Sequence, residues 1–163
     1  MSKCQHTILL VSLIGFTQEA AIAATSTTTF NVSATVAAAC SVSANNLVFG
    51  AFVPTGPDVD STTTVSVTCT NNTPYDIGLN EGIAPGATVT TRQMVDGAST
   101  LDYGLYQDAT HLTNWGDTVG VDTVSLTGNG AAQVTTVYGR IPGSQPTVPA
   151  GSYSDTITVT VTY

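Results

Sequence analysis

The run from Thr27 to Val42, TTTFNVSATVAAACSV, constrains this chain more than any other stretch. Phe30, Val32, Ala34, Val36, Ala38, Cys40 and Val42 share one parity, and Thr29, Asn31, Ser33, Thr35 and Ser41 share the other. Period-two alternation of this kind is the pattern of a strand with one buried and one solvated face. Its length is the difficulty. At roughly 3.3 Å per residue the run extends about 50 Å, whereas a compact chain of this size has a radius of gyration of about 14 Å. No Gly, Pro, Asn or Asp lies between Val32 and Ala44, so nothing there folds the run back into a hairpin. The run therefore needs two partners: its back half pairs within its own domain and its front half pairs elsewhere.

The first residues read as an export signal, residues 1–23, with Lys3 in a charged region, an apolar run from Ile8 to Phe16 and Ala21-Ile22-Ala23 as a small-x-small cleavage site. That apolar run is too short to span a bilayer. Cleavage after Ala23 leaves about 140 residues, enough for one domain with a real core. Cys4 leaves with the signal, and Cys40 and Cys69 remain as an even pair in an oxidising compartment, which predicts a Cys40–Cys69 disulfide. Closing a loop of that length is worth about 3 to 4 kcal/mol on a chain-entropy argument.

Three Lys and Arg stand against eleven Asp and Glu, and beyond the signal the only cations are Arg92 and Arg140. This balance excludes nucleic acid and anionic membrane surfaces as partners, since both demand Lys and Arg. The carboxylates are scattered singly beside Gly, Thr or Asn and read as solvation. Thr and Val dominate, and no window carries a 3.6-residue period, so the class is all-β. Alternation predicts strands over Thr62–Thr70, Tyr75–Leu79, Arg92–Val95, Leu101–Tyr106, Val121–Leu126, Gln133–Ile141 and Tyr153–Tyr163, with a hairpin turn at Asp96-Gly97-Ala98. Leu47–Phe52 is a short apolar run ending at Pro54, and the Pro- and Gly-rich stretch from Pro142 to Gly151 is a connection. Short strands with frequent turns suggest an immunoglobulin-like β-sandwich.

Groups that could carry catalysis are sparse. His111 is the one histidine beyond the signal and reads as an exposed polar residue of a loop, without a catalytic role. Asp58 and Asp60 sit near a Pro/Gly loop with no apolar wall to raise either pKa. They also lack the further oxygens of a calcium loop. Trp115, beside Asn114, Gly116 and Asp117, is the single place where a sugar-stacking face could be sought, and the preferred reading is a cap on one end of the core. The sequence therefore points to no enzyme activity, no metal or other cofactor and no small-molecule substrate.

Several segments together resemble the spore coat protein U family, which includes the pilins of archaic chaperone-usher pili. They are FNVSATV leading into Cys40, VSVTC ending in Cys69, LDYGLYQD at Leu101–Asp108, VYGRIP, and above all PAGSYSDTITVTVTY at Pro149–Tyr163. The resemblance implies an incomplete immunoglobulin-like β-sandwich that lacks its last strand and is completed by a donor strand from a neighbouring subunit. It implies a donor segment at residues 24–37, with Phe30, Val32, Ala34 and Val36 as the inserted side chains. The pilin-type domain would be residues 38–163, with an acceptor groove at Ile157, Val159, Val161 and Tyr163. Implied partners are homologous pilin subunits, a periplasmic chaperone and an outer-membrane usher, on a route through the periplasm to a surface fibre that serves adhesion and biofilm formation. A spore or cyst coat protein and a carbohydrate-binding tip adhesin are the alternatives.

Overall fold

A computed structural model describes residues 21–163. Residues 1–20, which hold Cys4 and most of the expected signal, lie outside the described residues. The chain divides into two units, Met1–Thr35 and Val36–Tyr163. In the first, the described residues form no strand and are exposed, Phe30 and Val32 each at 85%.

The second unit is built from strands alone. These are β1 (Cys40–Ala44), β2 (Val59–Cys69), β3 (Pro74–Leu79), β4 (Arg92–Asp96), β5 (Ser99–Tyr106), β6 (Val124–Thr127), β7 (Ala132–Ile141) and β8 (Val159–Thr162). They form a five-stranded sheet in the order β1-β2-β7-β5-β4 and a three-stranded sheet in the order β6-β3-β8, with every ladder antiparallel. Alternation sets the faces. In β2, Val65, Val67 and Cys69 point into the core, as do Val137 and Ile141 in β7 and Leu101, Tyr103 and Leu105 in β5. Tyr75, Ile77 and Leu79 of β3 meet them from the other sheet, with Trp115 fully buried among them. Each such side chain contributes about 1.5 to 3 kcal/mol by leaving water, and this interior holds the sheets together.

Local chemistry fixes the connections. Asp96 pairs with Ser99, leaving Gly97-Ala98 as a two-residue hairpin loop, and Gly97 has the positive φ of 58° that such a loop requires. Cys40 lies directly opposite Cys69 in the β1–β2 register and is joined to it by a disulfide, with the Cα atoms 4.1 Å apart. That single crosslink ties the first strand to the second.

Several sequence expectations change. Only Cys40–Ala44 of the long alternating run and its sequel is a strand, because among the described residues only those have a continuous ladder partner, with single backbone bonds at Ala39 and Asn45 beyond its ends. Tyr153–Tyr163 likewise pairs continuously only from Val159, after an isolated bridge between Ser154 and Val95. The expected strand at Val121–Leu126 begins at Val124, since Thr118–Asp122 is closed into a turn by bonds from Val121 and Asp122 to Thr118. His111 is not an exposed polar residue. Its side chain is 6% exposed, packed edge-on against Tyr106 of β5 and Tyr138 of β7, with Nε2 3.8 Å from Asp60. One nearby tyrosine and one from a distant strand bury it.

Candidate functional site

An apolar groove of about 1070 Å³ runs over the inner face of the five-stranded sheet. One wall is Ala44–Phe52 with Pro54, the other is Val148–Val159, and Val65, Tyr103, Leu105 and Val137 form part of its floor. Leu47 and Phe49 reach down from the first wall to Gly139 of β7, where an added Cβ would lie 2.9 Å from both side chains. Gly at that position lets the wall approach closely. Phe49 also meets Tyr103 edge to face, with ring centroids 6.1 Å apart.

Both walls carry unpaired backbone. Beyond Asn45, whose N–H bonds to the Thr64 carbonyl, no backbone N–H from Asn46 to Val53 has a backbone partner. On the opposite wall the phase of the ladder decides which groups are free. The Asn80 N–H donates to the Thr158 carbonyl, and the β3–β8 register places Gly78 opposite Thr160 and Asp76 opposite Thr162. Antiparallel pairs alternate between bonded and non-bonded positions, so Thr158, Thr160 and Thr162 direct their backbone groups toward β3. Leu79 agrees with this phase, since its N–H turns away from β8 to the Gly116 carbonyl. The backbone groups of Ile157, Val159 and Val161 therefore point to the side of β8 that bears no strand. Ile157 and Val159 line the groove, Val161 packs against the core at its margin, and Tyr163 is 59% exposed past the last ladder pair. The expected donor side chains Phe30, Val32, Ala34 and Val36 are all exposed.

Polar clamps hold the walls. Arg92 is fully buried without a carboxylate partner among the described residues, and its guanidinium donates to the carbonyls of Leu79, Asn80, Val89 and Trp115 at 2.6 to 2.8 Å. Burial pulls its pKa down from the ordinary value, opposed by Tyr103, Asp117, Asp155 and Asp122. Asn80 in turn accepts the Thr158 N–H on its side chain at 2.8 Å. Asp155 accepts the Tyr103 hydroxyl at 2.6 Å and the Ile83 N–H at 2.9 Å, and burial followed by that carboxylate contact pushes the Tyr103 phenol far up. Trp115 donates its indole N–H to the Ile77 carbonyl at 2.8 Å with its whole surface buried, so no aromatic face is open to a sugar there.

The remaining charged cluster is on the outer face. Arg140 holds Asp60 with two bonds of 2.7 and 2.8 Å and reaches Asp58 at 3.3 Å, and the hydrogen bond from Arg140 lowers the Asp60 pKa. Both carboxylates are thus occupied by a cation, and among the described residues no group of three or more His, Cys, Asp or Glu converges on a metal-sized site.

Sequence reasoning named the β8 side of the groove but not the Ala44–Phe52 wall. The signal for it was present, as an uncharged apolar run that ends at a proline. Nothing in the sequence marked Arg92 and Asp155 as clamps, because their partners are backbone groups and a tyrosine far along the chain.

Comparison with known proteins agrees with this architecture. Protein U of Myxococcus xanthus is 38% identical over 168 aligned positions, covering 93% of this chain and 92% of the relative. Among solved structures, a chain in the crystal structure of the CsuC-CsuE chaperone-tip adhesion subunit pre-assembly complex, from the archaic chaperone-usher Csu pili of Acinetobacter baumannii, superposes with a TM-score of 0.56 at 24% identity. That match covers 79% of this chain and 40% of the other, and it bears on the fold. The Spore Coat Protein U domain profile matches residues 26–160, and with most of its length inside that match the chain belongs to the Spore Coat Protein U domain family.

Proposed function

We propose that this chain is a structural subunit of a secreted surface fibre that polymerises by strand exchange, with no catalytic role. The segment at residues 24–37 of one copy adds to the open side of β8 in the next and fills the groove with Phe30, Val32, Ala34 and Val36. The observation that carries this reading is the coincidence of a long apolar groove with the free backbone of Ile157, Val159 and Val161. An incoming strand gains side-chain burial and a hydrogen-bond ladder together, as in other strand additions. Phe30, Val32 and Val36 gain about 1.5 to 3 kcal/mol each on burial, and each ladder bond adds about 1 kcal/mol net. Register is fixed because a slip of one residue turns every apolar side chain outward.

Export through the periplasm, a chaperone that covers the groove before assembly and an outer-membrane usher complete this reading. The neighbour solved as a chaperone-tip adhesion subunit complex supports the chaperone. A coat of a resting cell is the second reading, favoured by the match to the Spore Coat Protein U domain, and it uses the same assembly chemistry. A sugar-binding tip loses its aromatic platform with Trp115 inside the core.

The test is Phe30→Asp in the full chain. An ionised carboxylate in an apolar groove is strongly disfavoured, whereas Phe30 is 85% exposed in the single chain and its replacement leaves the fold alone. Electron microscopy and size-exclusion chromatography should show folded protein without polymers. Normal polymerisation of the variant would overturn the proposal.

A further inference from the structure

The strand that ends in β8 changes sheets on its way, and at the changeover it is held by one carboxylate. Ser154 exchanges two backbone bonds with Val95 of β4, at 2.9 and 3.1 Å, and so lies on the edge of the five-stranded sheet. Four residues later Thr158 is bonded to Asn80 and the strand belongs to the three-stranded sheet. Between these points no backbone N–H or C=O of Asp155, Thr156 or Ile157 bonds to another backbone group. An extended segment with no ladder on either side has only its side chains to offset the entropy of staying extended.

The Asp155 side chain supplies the missing ties. Its Oδ2 accepts the hydroxyl of Tyr103, which stands on β5 and is 6% exposed, and its Oδ1 accepts the Ile83 N–H from the loop that follows β3. The same Oδ1 accepts the N–H of Thr156, which fixes the next peptide. Gly82, at φ 93°, presses against the carboxylate so closely that a Cβ there would collide with it. One side chain therefore links the changeover to β5 and to the loop that follows β3 through charge-assisted bonds, which are about twice as strong as neutral ones. Tyr103, Asp155 and Ile157 all line the groove.

We propose that Asp155 is the positioning residue of the groove: it keeps residues 155–157 extended and clear of the opposite wall before any strand arrives, so that the receiving edge is preformed. The inference rests on the strand-exchange reading and adds what makes exchange fast. A binding site occupied only part of the time in its competent form loses apparent affinity in proportion, and preorganisation removes that loss. The effect belongs to capture and not to release, because an inserted strand provides the ladder that Asp155 replaces.

The experiment uses the full chain carrying Phe30→Asp, which disables its own donor, and a fluorescent peptide of residues 26–38 as the probe. Association and dissociation rates are measured by stopped-flow anisotropy, with a thermal melt of each variant alongside. Asp155→Ala should slow association about tenfold while dissociation changes less than about twofold, since interface changes that act on encounter separate from those that act on residence. Asp155→Asn keeps an oxygen for Ile83 and a polar partner for Tyr103, and should restore association to within about threefold. Tyr103→Phe removes one tie and should fall between them, and it carries the test by itself if Asp155→Ala does not fold. Association at the parental rate in both Asp155→Ala and Tyr103→Phe, or an effect on dissociation alone, overturns the proposal while leaving strand exchange intact. A peptide that fails to bind the parent groove overturns both.

Discussion

Breaking the Cys40–Cys69 disulfide should loosen the protein at a defined place before it unfolds the whole. The bond closes a loop with a sequence separation of 29. On the chain-entropy relation, a loop of that size lowers the unfolded-state entropy enough to stabilise the fold by about 3.6 kcal/mol at 25 °C. The local argument is independent of that relation. β1 is five residues long and pairs only with β2, four of its residues are exposed and Val42 is 42% exposed, so little apolar burial holds it in place. What remains after reduction is a short ladder at about 1 kcal/mol net per bond, together with the Thr70 contacts at Ala39. Cys40→Ser with Cys69→Ser should lower the urea-derived stability by about 3 to 4 kcal/mol. Hydrogen exchange should show the amides of Cys40–Ala44 losing protection well before those of β2, β3 and β7. A stability change below about 1 kcal/mol with β1 protection unaltered would refute both parts, and would mean that β1 is held by contacts the ladder and burial do not reveal.

Arg92→Met should destabilise the fold by about 3 to 5 kcal/mol, because two buried carbonyls, of Leu79 and Trp115, and two half-buried ones, of Asn80 and Val89, lose their donor and an apolar chain cannot replace it; equilibrium unfolding in urea measures this. Acid should weaken the protein through Asp60 and Asp108. Asp60 is held low by the Arg140 hydrogen bond, and Asp108 by bonds from Thr110 and Thr113. Both folded pKa values lie below the ordinary 3.8, so their stabilisation is complete above that pH and is lost as pH falls through the lowered values. A thermal melt series from pH 6 down to about pH 2 should show a steeper decline for the parent than for Asp108→Asn, and equal slopes would remove Asp108 from the account.

Much of the domain was legible because its strands carry their own instructions. The Arg92–Asp96 and Ser99–Tyr106 hairpin follows from alternation around Asp96-Gly97, and Val65, Val67 and Cys69 take the buried face their parity assigns. Alternation specifies a face but not a partner. Thr27–Ala39 and Tyr153–Thr158 alternate as regularly as β2, yet the single chain gives them no continuous ladder, so the pattern exceeds the strands. Burial of polar groups was illegible for a different reason. Arg92 and the His111 side chain are covered by carbonyls and aromatic rings of which several, such as Trp115, Leu79 and Tyr138, arrive from other segments, and composition rules that place charge on the surface hold only until such partners accumulate.

The open edge at Ile157–Tyr163 lacks the usual protection, although the groove's walls elsewhere hold Pro54, Pro149 and Asp155. Sheet edges are usually blunted by charge, proline or a bulge to prevent unwanted pairing, yet neither Ile157–Tyr163 nor Asn45–Val53 contains a charged residue or a proline. If this edge receives a strand, it should be sensitive to proline in a phase-dependent way, since proline removes one N–H and is tolerated only where that N–H faces away from the ladder. Val161 presents its N–H to the open side, whereas Thr160 presents its N–H to Gly78 of β3. Val161→Pro should therefore fold within about 1 kcal/mol of the parent and fail to capture a strand. Thr160→Pro should lose about 1 to 3 kcal/mol by leaving a partner unsatisfied at home. If Val161→Pro proves as unstable as Thr160→Pro, the phase of the β3–β8 ladder is the reverse of the one assigned; if it polymerises like the parent, assembly does not use this edge.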